Sequence, residues 1–347
     1  MPSSRTMTTL RSDPASISCI MPAYNEADNL ARVVPQVLEV LQALAPAVEL
    51  IVIDDGSRDA TAEAASALAR RYPQVVLLRL ARNFGKEAAL TAGLEAARGA
   101  VVVLMDADGQ HPALLLPDML ARWREGADVV YAVRRTRADQ SRLHAGLAEF
   151  FYRFINWGIQ AEIPAHAGDF RLMDRKVVQA LIRLPERNRF MKGLYAWVGF
   201  QSTAIDYEPP ARIEGHSSFG LRGAFRLAMT GMVAFSIAPL RLITGLGLLL
   251  SLFSLGYGAW VVFEHFFLGN HIPGYATIVA GMMLLSGIQL LSLGVLAEYV
   301  GHIYEEVKRR PLYLIDRREG GGLPLEASGQ GEPTPPAPPA PSAPSAP

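Results

Sequence analysis

The 347-residue chain has little cysteine and no net charge: Cys19 is its single cysteine, and 33 Lys and Arg residues balance 33 Asp and Glu residues. One cysteine excludes an intramolecular disulfide and fits a reducing compartment. The balanced charge gives no indication of a nucleic-acid partner. The N-terminal segment also lacks an apolar run of the kind found in signal peptides. Residues 1–15 are therefore predicted to be a flexible N-terminus and not a cleaved leader.

From residue 16 to about residue 210, short β-branched runs alternate with helical patterns. The runs SISCIMP, VELIVID, QVVLLRL, AVVVLMD and ADVVYAV are typical strands, and the segments between them have the spacing of helices. This alternation predicts an α/β fold with a mostly parallel, Rossmann-like sheet. Ligands of such sheets bind at the carboxyl ends of the strands. Polar motifs follow three of those ends here: PAYNE, DDGS and DADGQ.

Two carboxylates, Asp106 and Asp108, come directly after the apolar run VVVLM. In an extended segment, residues two apart point to the same side, so both side chains can face one cation. Mg²⁺ and Mn²⁺ are hard ions that bind one or two carboxylates together with phosphate oxygens. The motif favours a metal and diphosphate site, although acidic pairs also occur in ordinary solvated turns.

Two apolar stretches carry no charge, from Leu242 to Phe263 and from Ile272 to Ala297, and each is long enough to cross a membrane, which takes about 20 residues. They predict transmembrane helices at about 241–265 and 272–298. The alternative is a pair of buried helices in a large soluble core. The connecting loop EHFFLGNHIPG contains no Lys or Arg, whereas basic residues lie on both outer sides of the pair. The positive-inside rule therefore predicts a multi-pass membrane protein with its catalytic domain and both termini in the cytoplasm.

The segments that flank the apolar pair differ in composition. Residues 213–240 include an amphipathic pattern that predicts a helix in the membrane interface or, alternatively, an ordinary core helix. Residues 301–319 form a basic cytoplasmic segment. Residues 320–347 are rich in Pro and Ala and are predicted to be disordered or polyproline-like.

Several motifs in order resemble the GT-A glycosyltransferases of family 2: IMPAYNEADNL, IVIDDGSRDAT, RNFGKEAALTAGLEAARGAVVVLMDADGQHP, DVVYAVRR, AGDFRLMDRKVV and RFMKGLYAWVGF. The resemblance covers about residues 16 to 310 and is strongest to the polyisoprenyl-phosphate type, which includes bactoprenol glucosyltransferases and dolichol-phosphate mannosyltransferases. It implies a GT-A domain at 16–212 followed by two transmembrane helices. It also suggests a homo-oligomer, a tetramer by analogy.

The resemblance also implies roles for individual residues. Asp106 and Asp108 match the metal motif. Asp169 matches the position of the family's catalytic carboxylate, and Asp108 is assigned to catalysis as well. Pairing with Arg171 or capping is the structural alternative for Asp169. Residues matching nucleotide-sugar contacts are Pro22, Ala23, Tyr24, Glu26, Ile53, Asp55, Asp106, Ala107, Gln110, Arg134 and Arg212. Arg142 is a candidate for the acceptor phosphate, although its basic neighbourhood also fits a solvated loop. His111 is interpreted as a turn residue before Pro112.

One motif departs from the family. Relatives commonly read RxxGESKY, whereas this chain reads RIEGHSSF from Arg212, so that Ser218 replaces a lysine and His216 an acid. Loss of a cation beside phosphates weakens binding unless another charge replaces it. We hypothesise that Arg222 or a protonated His216 supplies that charge at the acceptor phosphate. The alternative is a site that tolerates the weaker contact.

These inferences predict an enzyme of the bacterial inner membrane. It is expected to transfer a sugar with inversion from a nucleotide sugar, UDP-glucose in the first place, to undecaprenyl phosphate at the cytoplasmic face, for modification of envelope glycans. Mannose, N-acetylglucosamine, galactose, aminoarabinose and a GDP-linked donor remain alternatives. A processive polysaccharide synthase is disfavoured because QxxRW and further spans are lacking, and a dehydrogenase because no GxGxxG follows the first strand. A non-catalytic nucleotide-binding membrane protein is the remaining alternative.

Overall fold

The computed structural model describes residues 11–134, 167–187, 189–207, 238–267 and 274–324. Within them lie eight strands, which form one sheet: β1 (Ser16–Ala23), β2 (Ala47–Asp54), β3 (Val75–Leu80), β4 (Val101–Leu104), β5 (Val129–Arg134), β6 (Ala167–Asp174), β7 (Ser202–Tyr207) and β8 (Ile315–Glu319). The described helices are α1 (Ala27–Leu44), α2 (Thr61–Arg71), α3 (Lys86–Ala96), α4 (Leu116–Arg124), α5 (Arg175–Arg183), α6 (Met191–Trp197), α7 (Ala238–Phe267) and α8 (Tyr275–Lys308).

The strand order is β7-β5-β6-β4-β1-β2-β3-β8. Neighbouring strands β3, β2, β1 and β4 run parallel, and β5 runs parallel to β7. Strand β6 runs antiparallel to both β4 and β5, and β8 runs antiparallel to β3. The predicted mostly parallel α/β sheet is confirmed. The two antiparallel strands, β6 between β4 and β5 and β8 at the edge beside β3, were not predicted, because strand direction depends on long-range pairing that local periodicity does not contain.

The central strands are buried on both faces by helices, which explains their continuous apolar runs. All four residues of β4 are buried, and apolar side chains of α1 and α4 cover one face of the sheet while α3, α5 and α6 cover the other. Cys19 lies fully buried within β1, and burial raises the pKa of its thiol to about 12. Cys19 is thus a small apolar core residue, and the rigid sheet fixes the strand ends that carry polar motifs.

The chain returns to the sheet after α8. Arg309 ends α8 in the left-handed conformation, Tyr313 then donates its hydroxyl to Glu95 Oε2 at 2.5 Å, and β8 pairs with the edge of β3. Beyond β8, Leu323 is buried, and its N–H donates to the buried carboxylate of Glu49 at 3.0 Å. The structure differs here from the segments predicted from the sequence. Ile315–Glu319 is a strand and not only part of a basic segment. The tail predicted to be disordered, 320–347, includes the buried Leu323. Backbone pairing with an open sheet edge needs no apolar sequence signal.

We expect this return to stabilise the domain that contains the sheet. A chain that ends after Arg310 loses the β3–β8 ladder and leaves Glu49 without the Leu323 N–H, so its apparent melting temperature in detergent should fall by about 5 °C or more. The matched control ends after Pro324 and keeps every contact described above. Equal midpoints for the two truncated chains would contradict a stabilising role for β8.

The apolar helices α7 and α8 expose many large apolar side chains along their length. Exposed examples are Leu248, Leu249, Leu252 and Phe253 on α7 and Leu284, Leu290, Leu291 and Leu293 on α8. Within the described residues, one stretch, Leu284–Lys308, is long and apolar enough for a membrane span, and it contains an 18-residue window with a mean hydropathy of 1.5. One such stretch is thus found where the sequence predicted two spans, and most of the predicted interfacial segment 213–240 lies outside the described residues.

Candidate active site

The polar ends of β1, β2 and β4 meet at one edge of the sheet, as the sequence predicted. Strand β6 adds Asp169 to this edge, because Arg171 of β6 lies opposite Leu104 of β4 in an antiparallel ladder. Two residues back along β6 is Asp169, and two residues forward from Leu104 is Asp106. The register therefore brings together two carboxylates that lie 63 positions apart in the chain.

Lys86 joins these carboxylates. Its ammonium nitrogen lies 2.7 Å from Asp106 Oδ1 and 2.9 Å from Asp106 Oδ2, and 2.8 Å from Asp169 Oδ2. Burial opposes the charge of Lys86, but the two carboxylates outweigh it and raise the pKa of the ammonium. Burial likewise opposes the charge of Asp169, yet Lys86 holds the pKa of that carboxyl below its usual value. Lys86 and Asp169 are therefore both ionised at neutral pH.

The carboxylate of Asp55 fixes the loop that delivers Lys86. Its two oxygens accept the N–H groups of Phe84 at 2.8 Å and Gly85 at 2.9 Å, directly before Lys86. Burial raises the pKa of Asp55, and these two hydrogen bonds act in the opposite direction. Gly56 supports the same loop, because its φ is +64° and a Cβ there would lie 2.3 Å from the carbonyl carbon of Arg82. Asp55 was predicted to bind base and ribose; the contact it makes in the structure is with this loop.

His111 holds the backbone of the predicted metal motif. Its Nδ1 accepts the backbone N–H of Asp106 at 3.0 Å, and its ring stacks on Phe170 with centroids 4.8 Å apart. Burial lowers the pKa of His111, which fits a neutral ring that accepts at Nδ1. Gln110 donates its N–H to Asp108 Oδ1 at 3.0 Å. His111 was interpreted only as a turn residue, and the structure adds that it holds the Asp106 backbone.

The predicted nucleotide-binding residues line the adjoining strand ends. Pro22 and Ala23 end β1, Tyr24 is exposed, and Ile53 is buried in β2. Asn25 adopts a left-handed φ of 56° and donates its N–H to Ser57 at 2.9 Å, which ties the two turns together. Burial raises the pKa of Glu26, a hydrogen bond from the Asn29 side chain to Glu26 Oε2 at 2.6 Å acts against it, and the charges of Asp108 and Asp106 raise the pKa further.

Other predicted residues are only partly placed. The backbone of Arg134 ends β5 opposite Tyr207 of β7. Arg142, Arg212 and Arg222, together with His216 and Ser218, lie outside the described residues, so their roles stay predictions.

A buried layer beneath Asp169 was missed by sequence reasoning. The guanidinium of Arg171 lies 3.4 Å from the ring centroid of Tyr195 and donates to Gly168 O at 2.7 Å. Asp169 therefore pairs with Lys86, not with Arg171 as the structural alternative held. Among the described residues the buried Tyr195 hydroxyl has no hydrogen-bond partner. Lys86 was missed as well, although it stands in the quoted motif RNFGKEAAL, because nothing local marks it as a partner of two distant carboxylates.

Glu87, next to Lys86, yields a prediction on pH. Burial, and then the charge of Asp169, raises its pKa from 4.5 to about 7. Between those values the folded state binds more protons than the unfolded state, so this group's effect on stability becomes less favourable as pH rises from 4.5 to 7. Gln mimics the neutral acid and can still accept the N–H of Met191. Glu87→Gln should therefore stabilise the protein by about 2 kcal/mol at pH 8.

Thermal unfolding in detergent at pH 8 and pH 5 checks this expectation. The gain in midpoint should shrink towards pH 5, where wild-type Glu87 is protonated in the folded state. Glu63→Gln, on helix α2, is the matched control and should show no such pH dependence. A Glu87→Gln midpoint that does not change relative to wild type between the two pH values would contradict the raised pKa.

Two protein-family descriptions match the chain. Glycosyl transferase family 2 matches residues 18–182, and the GtrB C-terminal hairpin matches residues 238–303. The first range ends near the end of α5, and the second spans most of α7 and α8.

Relatives match over nearly their whole length. An uncharacterized glycosyltransferase of Synechocystis is 43% identical over 89% of this chain and 98% of its own. The bactoprenol glucosyl transferase of Shigella phage SfII is 41% identical over 88% of this chain and 99% of its own. The solved mannosyl-3-phosphoglycerate synthase of Rubrobacter xylanophilus is 20% identical, covers 62% of this chain and 71% of its own, and has a TM-score of 0.42, too remote to carry an argument.

Proposed function

Because the chain belongs to glycosyltransferase family 2, we propose that it transfers glucose from UDP-glucose to a polyisoprenyl phosphate, undecaprenyl phosphate, with inversion at the anomeric carbon. Relatives named bactoprenol glucosyl transferase support this acceptor and sugar, since they align over almost their full length. The match to the GtrB C-terminal hairpin supports it further.

The main structural support for the proposal is that Lys86 contacts both Asp106 and Asp169 at the carboxyl ends of the strands. This edge is where nucleotides bind in α/β sheets. A leaving diphosphate needs cationic groups, and an incoming phosphate needs an oriented contact beside the anomeric carbon. A cationic group, Lys86, and two carboxylates, Asp106 and Asp169, lie here in one cluster. This arrangement supports an enzyme that transfers a sugar better than a protein that only binds nucleotides.

Asp106 and Asp108 would hold a divalent cation, Mg²⁺ or Mn²⁺. Their carboxylate oxygens are the hard donors these ions prefer. Among the described residues no group of three or more His, Cys, Asp or Glu side chains is placed to hold a metal. That fits an ion which takes its remaining ligands from a diphosphate and water. When bound, such an ion neutralises charge on the leaving diphosphate.

Asp169 is proposed to orient the acceptor phosphate rather than to deprotonate it. A phosphate monoester has a second pKa near 6, so at pH 7 much of the acceptor is already a dianion. Lys86 keeps Asp169 ionised, and a carboxylate can share a proton or a cation with an incoming phosphate. The backbone held by His111 keeps Asp106 in place during transfer.

We further propose that α7 and α8 both span the inner membrane, with both termini in the cytoplasm. The exposed apolar side chains of both helices support this arrangement, since soluble proteins rarely expose such a continuous apolar surface. An acceptor that stays in the bilayer requires a catalytic domain held at the membrane surface.

Topology reporters test this arrangement. Fusions at Ser3 and after Ser328 should report the cytoplasm, and one at Asn270 the periplasm. A periplasmic signal from either terminus would overturn the two-span topology.

Donor and acceptor are tested with purified protein, Mn²⁺ and a panel of radiolabelled UDP- and GDP-sugars with undecaprenyl phosphate. We expect lipid-linked product from UDP-glucose at a rate at least about 100-fold above that from any other donor. Faster transfer of mannose, N-acetylglucosamine, galactose or aminoarabinose would reassign the sugar. Absence of product with every donor would overturn the proposed reaction.

A further inference from the structure

The ammonium of Lys86 and a divalent metal ion need the same side chain. Lys86 Nζ contacts both oxygens of Asp106, at 2.7 and 2.9 Å. A bound Mg²⁺ or Mn²⁺ would also use a carboxylate oxygen of Asp106. The Lys86 ammonium and the metal ion would then be close enough to repel each other. A metal ion on Asp106 therefore weakens the Lys86 contacts, and those contacts weaken binding of the metal ion.

The position of Lys86 is built into the fold at its backbone. Asp55 accepts the N–H groups of Phe84 and Gly85, and α3 begins at Lys86 itself. The side chain is less confined, because 44% of its surface is exposed. A fixed backbone with a partly exposed side chain allows the ammonium to move from one anion to another without a change of fold.

We propose that Lys86 competes with the divalent metal for Asp106 and thereby makes metal binding depend on the nucleotide. This inference rests on the metal site of the proposed function. In the free enzyme the ammonium neutralises part of the carboxylate charge and weakens the metal's attraction. A nucleotide diphosphate brings negative charge, so the ammonium, displaced from Asp106, keeps an anionic partner in Asp169 or the diphosphate.

The consequence is a positive coupling between metal and nucleotide. Each ligand increases the affinity of the other, as linkage requires of two ligands that favour the same state. The enzyme then captures the metal–nucleotide complex in preference to free metal. Without the Lys86 charge, free metal should bind more tightly, and the coupling should shrink.

The experiment measures Mn²⁺ affinity, not turnover. Free Mn²⁺ is quantified by electron paramagnetic resonance during titration of the full chain in detergent, with and without UDP. Lys86→Met and Lys86→Gln remove the charge in two ways, so loss of fold in one variant leaves the other, and Lys86→Arg keeps it. Lys176→Met is the matched control, since Lys176 is also a half-exposed lysine paired with a carboxylate, at 2.6 Å from Asp128.

Without UDP, the two neutral variants should bind Mn²⁺ about tenfold more tightly than wild type, the scale expected for one charge removed at contact distance in a partly solvated site. Lys86→Arg and Lys176→Met should match wild type. UDP should tighten Mn²⁺ binding strongly in wild type and much less in the neutral variants.

Two other outcomes are informative in different ways. If wild type binds Mn²⁺ with UDP but the neutral variants show unchanged or weaker affinity for free Mn²⁺, the competition is wrong and the metal site stands. If no form binds Mn²⁺ even with UDP, the metal site of the proposed function fails, and the inference fails with it.

Discussion

Replacement of Asp108 by asparagine is expected to lower the rate of sugar transfer on the order of 1000-fold, with the fold unchanged. Asn keeps the side-chain oxygen that accepts the N–H of Gln110, so the local turn is preserved. What is lost is the negative charge that would hold a divalent cation against the leaving diphosphate. Asp106→Asn should have a comparable effect, and it also removes one of the two carboxylates that hold Lys86.

Initial rates with saturating donor and Mn²⁺ measure this loss, and circular dichroism and the melting temperature check the fold. Asp118→Asn is the matched control, because Asp118 is an exposed carboxylate in the first turn of α4 and touches none of the site residues discussed above. It should retain the wild-type rate. Excess EDTA should stop wild-type transfer. Full turnover in EDTA, or a wild-type rate for Asp108→Asn, would refute the metal assignment.

Replacement of Asp169 by asparagine should lower kcat about 100-fold and change the KM for the donor little. The carboxylate lies on the β6 side of the cluster, and Lys86 connects it to Asp106. Its proposed contact is with the acceptor, so the donor contacts proposed for the ends of β1 and β2 should stay in place. A separate fall in donor affinity would indicate that Asp169 binds the nucleotide sugar instead.

The pH dependence of the same variant separates an orienting group from a base. Lys86 lowers the pKa of Asp169 below its usual range against the effect of burial, so this group stays ionised between pH 5 and 9. The wild-type rate should nevertheless fall as pH drops through about 6, because the acceptor phosphate gains its second proton there. Asp169→Asn should keep this acid limb at its lower rate. If the rate of Asp169→Asn did not fall as pH drops through about 6, the fall in the wild-type rate would be due to protonation of Asp169, which would favour a role as general base.

Several features of the site could be predicted from local sequence alone. The apolar run VVVLM places Asp106 and Asp108 just beyond the end of β4, although Asp108 lies in a turn and not in the extended segment that was predicted. The alternation of strands and helices predicts that β1, β2 and β4 end at one edge. These features depend only on residues near one another in the chain. The fold class, the enzyme class and the motif carboxylates were therefore accessible before any coordinates.

Other features were decided by pairing between distant segments. Asp169 reaches Asp106 because β6 inserts antiparallel beside β4 with Arg171 opposite Leu104, and a shift of one residue would turn Asp169 to the other face of the sheet. Lys86 meets both carboxylates from a loop whose backbone N–H groups are held by Asp55. Strand β8 returns to β3 through backbone hydrogen bonds, which any sequence can supply. The sequence thus determined which groups stand at the strand ends, whereas strand register and backbone pairing, which depend on the whole sheet, determined which of those groups touch.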